Sequence, residues 1–358
     1  MINIQIIKLI KSIFSNKKKM LLLFLVLLVV FILKQIYLNT FKCILNEKKD
    51  NLYEKNIELW HEKRRNQILE KYPQIKKLEI QDSWLGIFDT IKLYILIIIK
   101  FYIIYKLVYV WKFKLIYKVL IIFMILPIFS IIIAQYNHEY GHNTVFKNQN
   151  NNKLCLLITD VIYYFGTAFS TYAYMHEFHH DVNYSNTEKD ITAIPYNCEE
   201  SIIKNKWHYK ILYQLCHPYR NSLLYEKIFK KPVKLPLFLK LISYIKIILM
   251  ILFIPEFLII HYFTELIQFY HPMYPSISEH IQLKPGHMTN SYYGILNKIT
   301  HNLYYHTEHH DFKKINSRYH PQLRKIAPEF YPELIKNKII LFYKILLSPN
   351  YTLTRKLN

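Results

Sequence analysis

Two apolar stretches, Gly86 to Trp111 and Leu115 to Ala134, are separated only by Lys112-Phe113-Lys114, and they constrain the fold more than any other part of the chain. Each is close to the roughly 20 residues needed to cross about 30 Å of hydrocarbon. A backbone in lipid must satisfy its own hydrogen bonds, so both stretches are expected to be helices. The three-residue link makes them a hairpin that returns the chain to the side it left. Lys92 and Lys106 lie near the ends, where long side chains reach the interface. Lys100 falls close to the middle and leaves the start of the first span open.

A second hairpin is expected over about 236–270, where Pro255 and Glu256 interrupt the apolar run near a turn or kink. That stretch is short for two full crossings, so its helices are tilted, re-entrant or extended towards Tyr270. Between the hairpins, Leu154 to Tyr174 is apolar but broken by Asp160 and Gly166, and reads as a buried or interfacial helix. The expected fold class is an all-α integral membrane protein with two transmembrane hairpins at about 86–134 and 236–270. That makes about four core spanning helices, beneath a cytosolic helical cap.

Residues 1–45 form an N-terminal extension whose hydrophobic segment, 20–33, follows Lys17-Lys18-Lys19. It reads as a signal anchor, a spanning helix or a docked helix, and no small-residue cleavage site follows it, so it is expected to be retained. A crossing there would add a helix to the four. Residues 46–358 form the membrane domain, which opens with a polar stretch from Lys42 to Ser83. Its Trp60, Ile68, Leu69, Tyr72 and Ile75 mark surface helices outside the bilayer.

The formal charge of +22 raises the question of nucleic acid, but the basic residues are scattered between apolar stretches and form no basic stripe or nucleic-acid motif. Positive loops on the cytosolic side of a membrane protein account for it. Cys43, Cys155, Cys198 and Cys216 have no paired spacing and read as ordinary reduced thiols.

Set among these segments are three histidine boxes: His138 and His142 in 138–142; His176, His179 and His180 in 176–180; and His306, His309 and His310 in 306–310. Residues i and i+4 share a helix face, so each box presents two or three imidazoles to one side. Neutral imidazole is a transition-metal ligand. Eight imidazoles exceed what one zinc uses, so the economical expectation is a centre of two iron ions that activates O2 at a membrane face. Ligands of one centre must share a side of the bilayer, and two hairpins keep all three boxes together. Glu139, Glu177, Asp181, Glu308 and Asp311 adjoin the boxes and are candidates to accept the second ring N–H of a ligand.

Around the boxes the chain resembles the sphingolipid Δ4-desaturases (dihydroceramide desaturases) of the membrane fatty acid desaturase superfamily. The resemblance is carried by Ser278-Glu279-His280, Gly286-His287, Ser291-Tyr292-Tyr293-Gly294, Tyr305 to Phe312, and Leu323 to Tyr331, in the family's order. His138-Glu139 to His142-Asn143 and Asp190 to Pro195 are similar upstream. So are Lys63-Arg64-Arg65, Ile68-Leu69, Lys71-Tyr72-Pro73 and Ile75-Lys76. Coverage runs from about Trp60 to Glu333.

The resemblance implies that the eight box histidines bind two Fe ions, with His280 as a ninth ligand. It also implies O2 as co-substrate, a ceramide-type lipid substrate, and cytochrome b5 with its NADH-dependent reductase as electron source. The expected setting is a multi-pass protein of the endoplasmic reticulum membrane, with its site facing the cytosol. Lys204, Lys206, Arg324 and Lys325 are candidates for steering an acidic carrier. His287 aligns with a family motif without a settled role, and His301 and His320 match no family histidine. Residues 1–45 and Pro272 to Ser276 depart from the family, and Met1-Ile2 cannot carry an N-myristoylation signal.

The function expected is introduction of a double bond between carbons 4 and 5 of the sphingoid base. The alternatives are carbon-4 hydroxylation, or desaturation or hydroxylation of another membrane lipid. From other classes, His138-Glu139-x-x-His142 spells HExxH, the zinc-protease motif with Glu as base, but that reading leaves six box histidines idle. A catalytically silent scaffold finds no support in boxes that are all intact.

Overall fold

The structure is a computed structural model that describes residues 28, 31–32, 34–42, 51–80, 83–163, 170, 172–173, 176, 180, 197–204, 206–216, 236–275, 277–281, 283–284 and 287–348. Among them the regular structure is helical and no strand forms; Tyr292 and Ile335 make one isolated bridge. The first helix, α1, spans Asn51–Lys71, and a 3-10 turn, Pro73–Leu78, follows it with proline where a backbone N–H is not needed. Ile68, Ile75 and Leu78 are buried against Phe312, Ile315, Leu323 and Tyr331, so α1 lies on the C-terminal part of the chain. The Lys71 ammonium donates to Glu329 at 2.5 Å across that seam.

The first apolar hairpin forms as two helices of 27 residues, Trp84–Val110 and Leu115–Gly141. At 1.5 Å per residue each is about 40 Å long, more than the hydrocarbon core requires. We label α2 as Ser83–Tyr105, whose last turns widen over Lys106–Val110, and α3 as Leu115–Gly141. α3 loosens over Ile121–Ile125, immediately before Pro127, which has no N–H to give to the preceding turn. It continues past the expected end at Ala134 to Gly141, so the first histidine box occupies its last turns. His142 closes the helix, and Asn143 turns the chain away in the left-handed region at φ 57°, a conformation asparagine tolerates.

Helix α4, Gln149–Ile162, is capped by the Asn148 side chain and packs on α3 through Leu156. Helix α5 is Asn197–Ile203, and residues 207–216 are helical. The second apolar stretch forms α6, Leu237–Phe253, and α7, Pro255–Ile267, separated by Ile254. The path bends there by 119°, a broken span or a re-entrant loop. Among the described residues two helices are therefore long and apolar enough to cross on their own, or three spans if the bent pair counts as one, where about four were expected. Proline at the first position of α7 sets the break, since it cannot continue α6.

Lys100, awkward in sequence, is fully buried. Its ammonium pairs with the Glu265 carboxylate of α7 and donates to Ser130 Oγ of α3 and Tyr163 Oη, each at 2.6 Å. Ser130 and Tyr163 in turn donate to Glu265, each at 2.7 Å. Four segments thus meet at one satisfied polar node between the apolar helices.

Most of the hydrophobic segment 20–33 lies outside the described residues. Residues 34–40 are helical, and Tyr37 and Phe41 are buried with Ile203, Tyr213, Phe342 and Ile345. Tyr37 Oη donates to Glu199 at 2.6 Å. The C-terminal elements are α8, His306–Asp311; α9, His320–Ile326; and α10, Lys338–Leu347, which is capped by Asn337.

Candidate metal centre

The end of α3, residues 176 and 180, the turn Ile277–His280 and α8 converge at one place, where the imidazoles form two groups. His138, His142, His176, His180 and His309 each offer one ring nitrogen, all within 4.8 Å of one another. His280, His306 and His310 do the same. The groups adjoin, since the rings of His180 and His310 are 4.2 Å apart. His176 Nε2 lies 2.8 Å from His138 Nε2 and 2.9 Å from His180 Nε2. His180 Nε2 lies 2.9 Å from His309 Nε2, and His280 Nε2 lies 2.8 Å from His306 Nε2.

These separations test whether metal fits. Bonds of about 2.1 Å to ligands at right angles place neighbouring nitrogens about 3 Å apart. Burial, then the neighbouring imidazoles, hold His180 and His309 well below the ordinary histidine range. Neutral rings are the form that binds metal. The donor set therefore fits two adjacent cations with nitrogen-rich shells.

Gly141 allows the approach of the second box to the first. A Cβ there would stand 2.9 Å from Ala173 Cβ, inside ordinary contact. Tyr172, beside Ala173, stacks on His176 with ring centres 5.1 Å apart.

The acidic neighbours divide. Glu139 is buried; it accepts from Gln135 Nε2 at 3.0 Å, Thr144 Oγ1 at 2.7 Å and the Ser317 N–H at 3.1 Å. Its Oε1 lies 3.4 Å from His138 Nδ1. Glu308 accepts from Ser291 Oγ at 2.6 Å and Tyr293 Oη at 2.8 Å, away from the imidazoles. Burial pushes its carboxyl up to about 7, against the pull of those two donors. Asp311 accepts from Arg64 and faces His61 Nδ1 at 2.6 Å. Burial opposes its ionisation, yet Arg64 and then His61 hold it below the usual carboxylate range. Glu177, His179 and Asp181 lie outside the described residues, as does Asp190 to Pro195.

His287 stands off the centre, edge-on to Trp60 at 5.8 Å. Neither His301 nor His320 joins either group, though both are well shielded. His301 stacks on Tyr136 at 4.5 Å, and His320 Nε2 faces the Ile315 carbonyl at 3.0 Å. Lys204, Lys206 and Lys325 are exposed. The Arg324 guanidinium sits 3.4 Å over the Tyr293 ring, which ties it to the Glu308 pair. His61 was not singled out by sequence; its partner Asp311 is 250 residues away, and no local spacing signals the contact.

The profile of the fatty acid desaturase family matches residues 115–338, and that of the sphingolipid Delta4-desaturase (DES) family matches residues 55–84. The chain is 31% identical over 292 residues to the sphingolipid delta(4)-desaturase DES1 of Mus musculus, covering 76% of this chain and 83% of that one. It is 29% identical over 292 residues to DES1 of Bos taurus. A segment of 58 residues, 18% of the relative's length, is 55% identical to the sphingolipid delta(4)-desaturase/C4-monooxygenase DES2 of Mus musculus. No solved structure matches the chain. The chain belongs to the fatty acid desaturase family, in its sphingolipid Δ4-desaturase branch, and is a membrane lipid desaturase.

Proposed function

We propose that the chain converts dihydroceramide to ceramide by removing one hydrogen from carbon 4 and one from carbon 5 of the sphingoid base. Two electrons from a carrier and two from the C–H bonds broken at carbons 4 and 5 reduce O2 to two waters, the four protons being the two substrate hydrogens and two taken from solvent. The observation that carries this reading is the pair of adjoining imidazole groups in a chain of this family. His138, His142, His176, His180 and His309 would hold one iron, and His280, His306 and His310 the other, with His179 a further ligand. Bound iron supplies the activation of O2 that no side chain provides.

The remaining work belongs to the protein. Burial keeps the His180 and His309 rings neutral, and Glu139, anchored by three donors, sits beside the second nitrogen of His138 and orients that ring. The same engagement argues against a zinc protease, because the Glu139 carboxylate is spent on Gln135, Thr144 and Ser317 and is not poised as a base. Chain positioning decides whether the second hydrogen leaves before a hydroxyl returns to carbon 4.

In the proposed setting the site faces the cytosol from the endoplasmic reticulum membrane, and the first apolar hairpin crosses it. Cytochrome b5 delivers the electrons at a basic face that includes Lys204, Lys206 and Lys325. Expression in cells that lack Δ4-desaturation, followed by mass spectrometry of ceramides, tests the reading. Ceramide with a carbon 4–5 double bond is expected. Dihydroceramide alone would end the proposal, and 4-hydroxylated product alone would replace it with hydroxylation. Purified protein is expected to carry two irons and little zinc.

A further inference from the structure

The branch-specific segment 55–84 lies outside the general desaturase match, yet it reaches the candidate centre. From α1, the His61 ring stacks on the His310 ring at 5.0 Å with the planes 26° apart. His61 Nδ1 lies 2.6 Å from Asp311 Oδ1, and His61 Nε2 lies 3.3 Å from Thr289 Oγ1. One helical turn later, Arg64 donates to Asp311 Oδ2 at 3.0 Å and to the Phe330 carbonyl at 2.7 Å. The Arg64 guanidinium also lies 4.4 Å over the Trp60 ring. His61 is 5% exposed, so these contacts are shielded from water.

We propose that His61 is a positioning residue for the third histidine box: α1 uses it to fix the His310 ring by stacking and the backbone of α8 through Asp311. The proposal rests on the reading of the imidazole groups as an iron centre. His61 is outside both groups, and its two nitrogens face Asp311 and Thr289, so its action on a metal is indirect. Arg64 makes the second grip on Asp311, which gives the carboxylate two directional partners from one helix. A lone stack would leave α8 free to slide; the carboxylate clamp sets its height.

The test uses the full-length protein in detergent, with four single variants: His61→Ala, His61→Asn, His61→Phe and, as control, Lys63→Ala on the exposed face of α1. Iron per chain, the rate of iron loss to a chelator and the spectroscopic signature of the reduced centre are read for each, beside ceramide formation. His61→Asn keeps a donor near the Nδ1 position and His61→Phe keeps the stacking ring. Supporting residues of metal ligands are worth about 10- to 100-fold in metal affinity. His61→Ala is therefore expected to release iron roughly ten times faster or more and to shift the signature, with His61→Asn recovering most of the retention and Lys63→Ala unchanged.

Iron loss and signature in His61→Ala equal to those of unsubstituted protein would overturn the proposal, and so would equal loss in Lys63→Ala. A His61→Ala chain that does not fold leaves the His61→Asn and His61→Phe pair to decide. His61→Phe, which has no nitrogen to hold Asp311, is then expected to lose iron faster than His61→Asn, and equal retention in the two at the level of unsubstituted protein would overturn the proposal. Unsubstituted protein that binds no iron would refute the metal reading itself, an outcome distinct from a normal centre that ignores His61.

Discussion

Gly141 shows how much a single residue decides at this site. Its missing side chain lets the Ala173 methyl sit where a Cβ would crowd it at 2.9 Å. Gly141→Ala is expected to destabilise the protein by about 1–3 kcal/mol through overpacking and to lower iron content, with Ala173→Gly in the same chain restoring both. Thermal unfolding and iron analysis of the three chains check it. His309 is the second deciding residue, because its ring also stands within 4.8 Å of both His138 and His142, at ring separations of 4.5 and 4.8 Å. His309→Ala is expected to abolish ceramide formation while the protein remains helical; retained desaturation would remove His309 from the centre. The spacing of such residues was legible because imidazoles at i and i+4 must share a face. The roles of Gly141 and His61 were not, because each depends on a neighbour that folding alone supplies.

At the scale of elements, the apolar hairpin was readable from length and composition, while its internal fastening was not. Lys100 marks the difference: in sequence it interrupts a span, and in the fold it meets Glu265, 165 residues away, together with Ser130 and Tyr163. Removing one partner strands the other charge in a dry interior, a loss of roughly 3–5 kcal/mol. Lys100→Met is expected to lower the melting temperature in detergent markedly. The double variant Lys100→Met with Glu265→Leu should recover most of the loss. Additive losses would mean that the pair is not coupled. The second apolar stretch was read as a hairpin near Pro255, and the break falls at Ile254 and Pro255 as that proline dictates. Its 119° bend, and the packing of its two arms against α3 and α4, have no local mark in the sequence.

For the whole molecule, the proposed topology places the link at Lys112 to Lys114 on the side opposite the histidine boxes. A cysteine introduced at Phe113, which is exposed, is expected to react with a membrane-impermeant maleimide only after the lumenal side of sealed vesicles is opened. One at Lys325 should react from the cytosolic side. Labelling of both from one side would refute the hairpin as a crossing. The same arrangement predicts that metal can be withdrawn by a chelator and restored by ferrous iron with return of activity; restoration by zinc would contradict the redox reading.

The imidazoles of the first group come from segments made at widely separated times. His180 and His309, whose nitrogens lie 2.9 Å apart, are 129 residues apart in the chain. At about 5–20 residues per second of synthesis, the second reaches the membrane on the order of ten seconds after the first. During that interval the early ligands face each other with the site open on one side. On the proposed reading of these imidazoles as an iron centre, iron delivery to a newborn chain is confined to the period after α8 has left the ribosome, and a truncated chain that stops before it is expected to hold no complete centre.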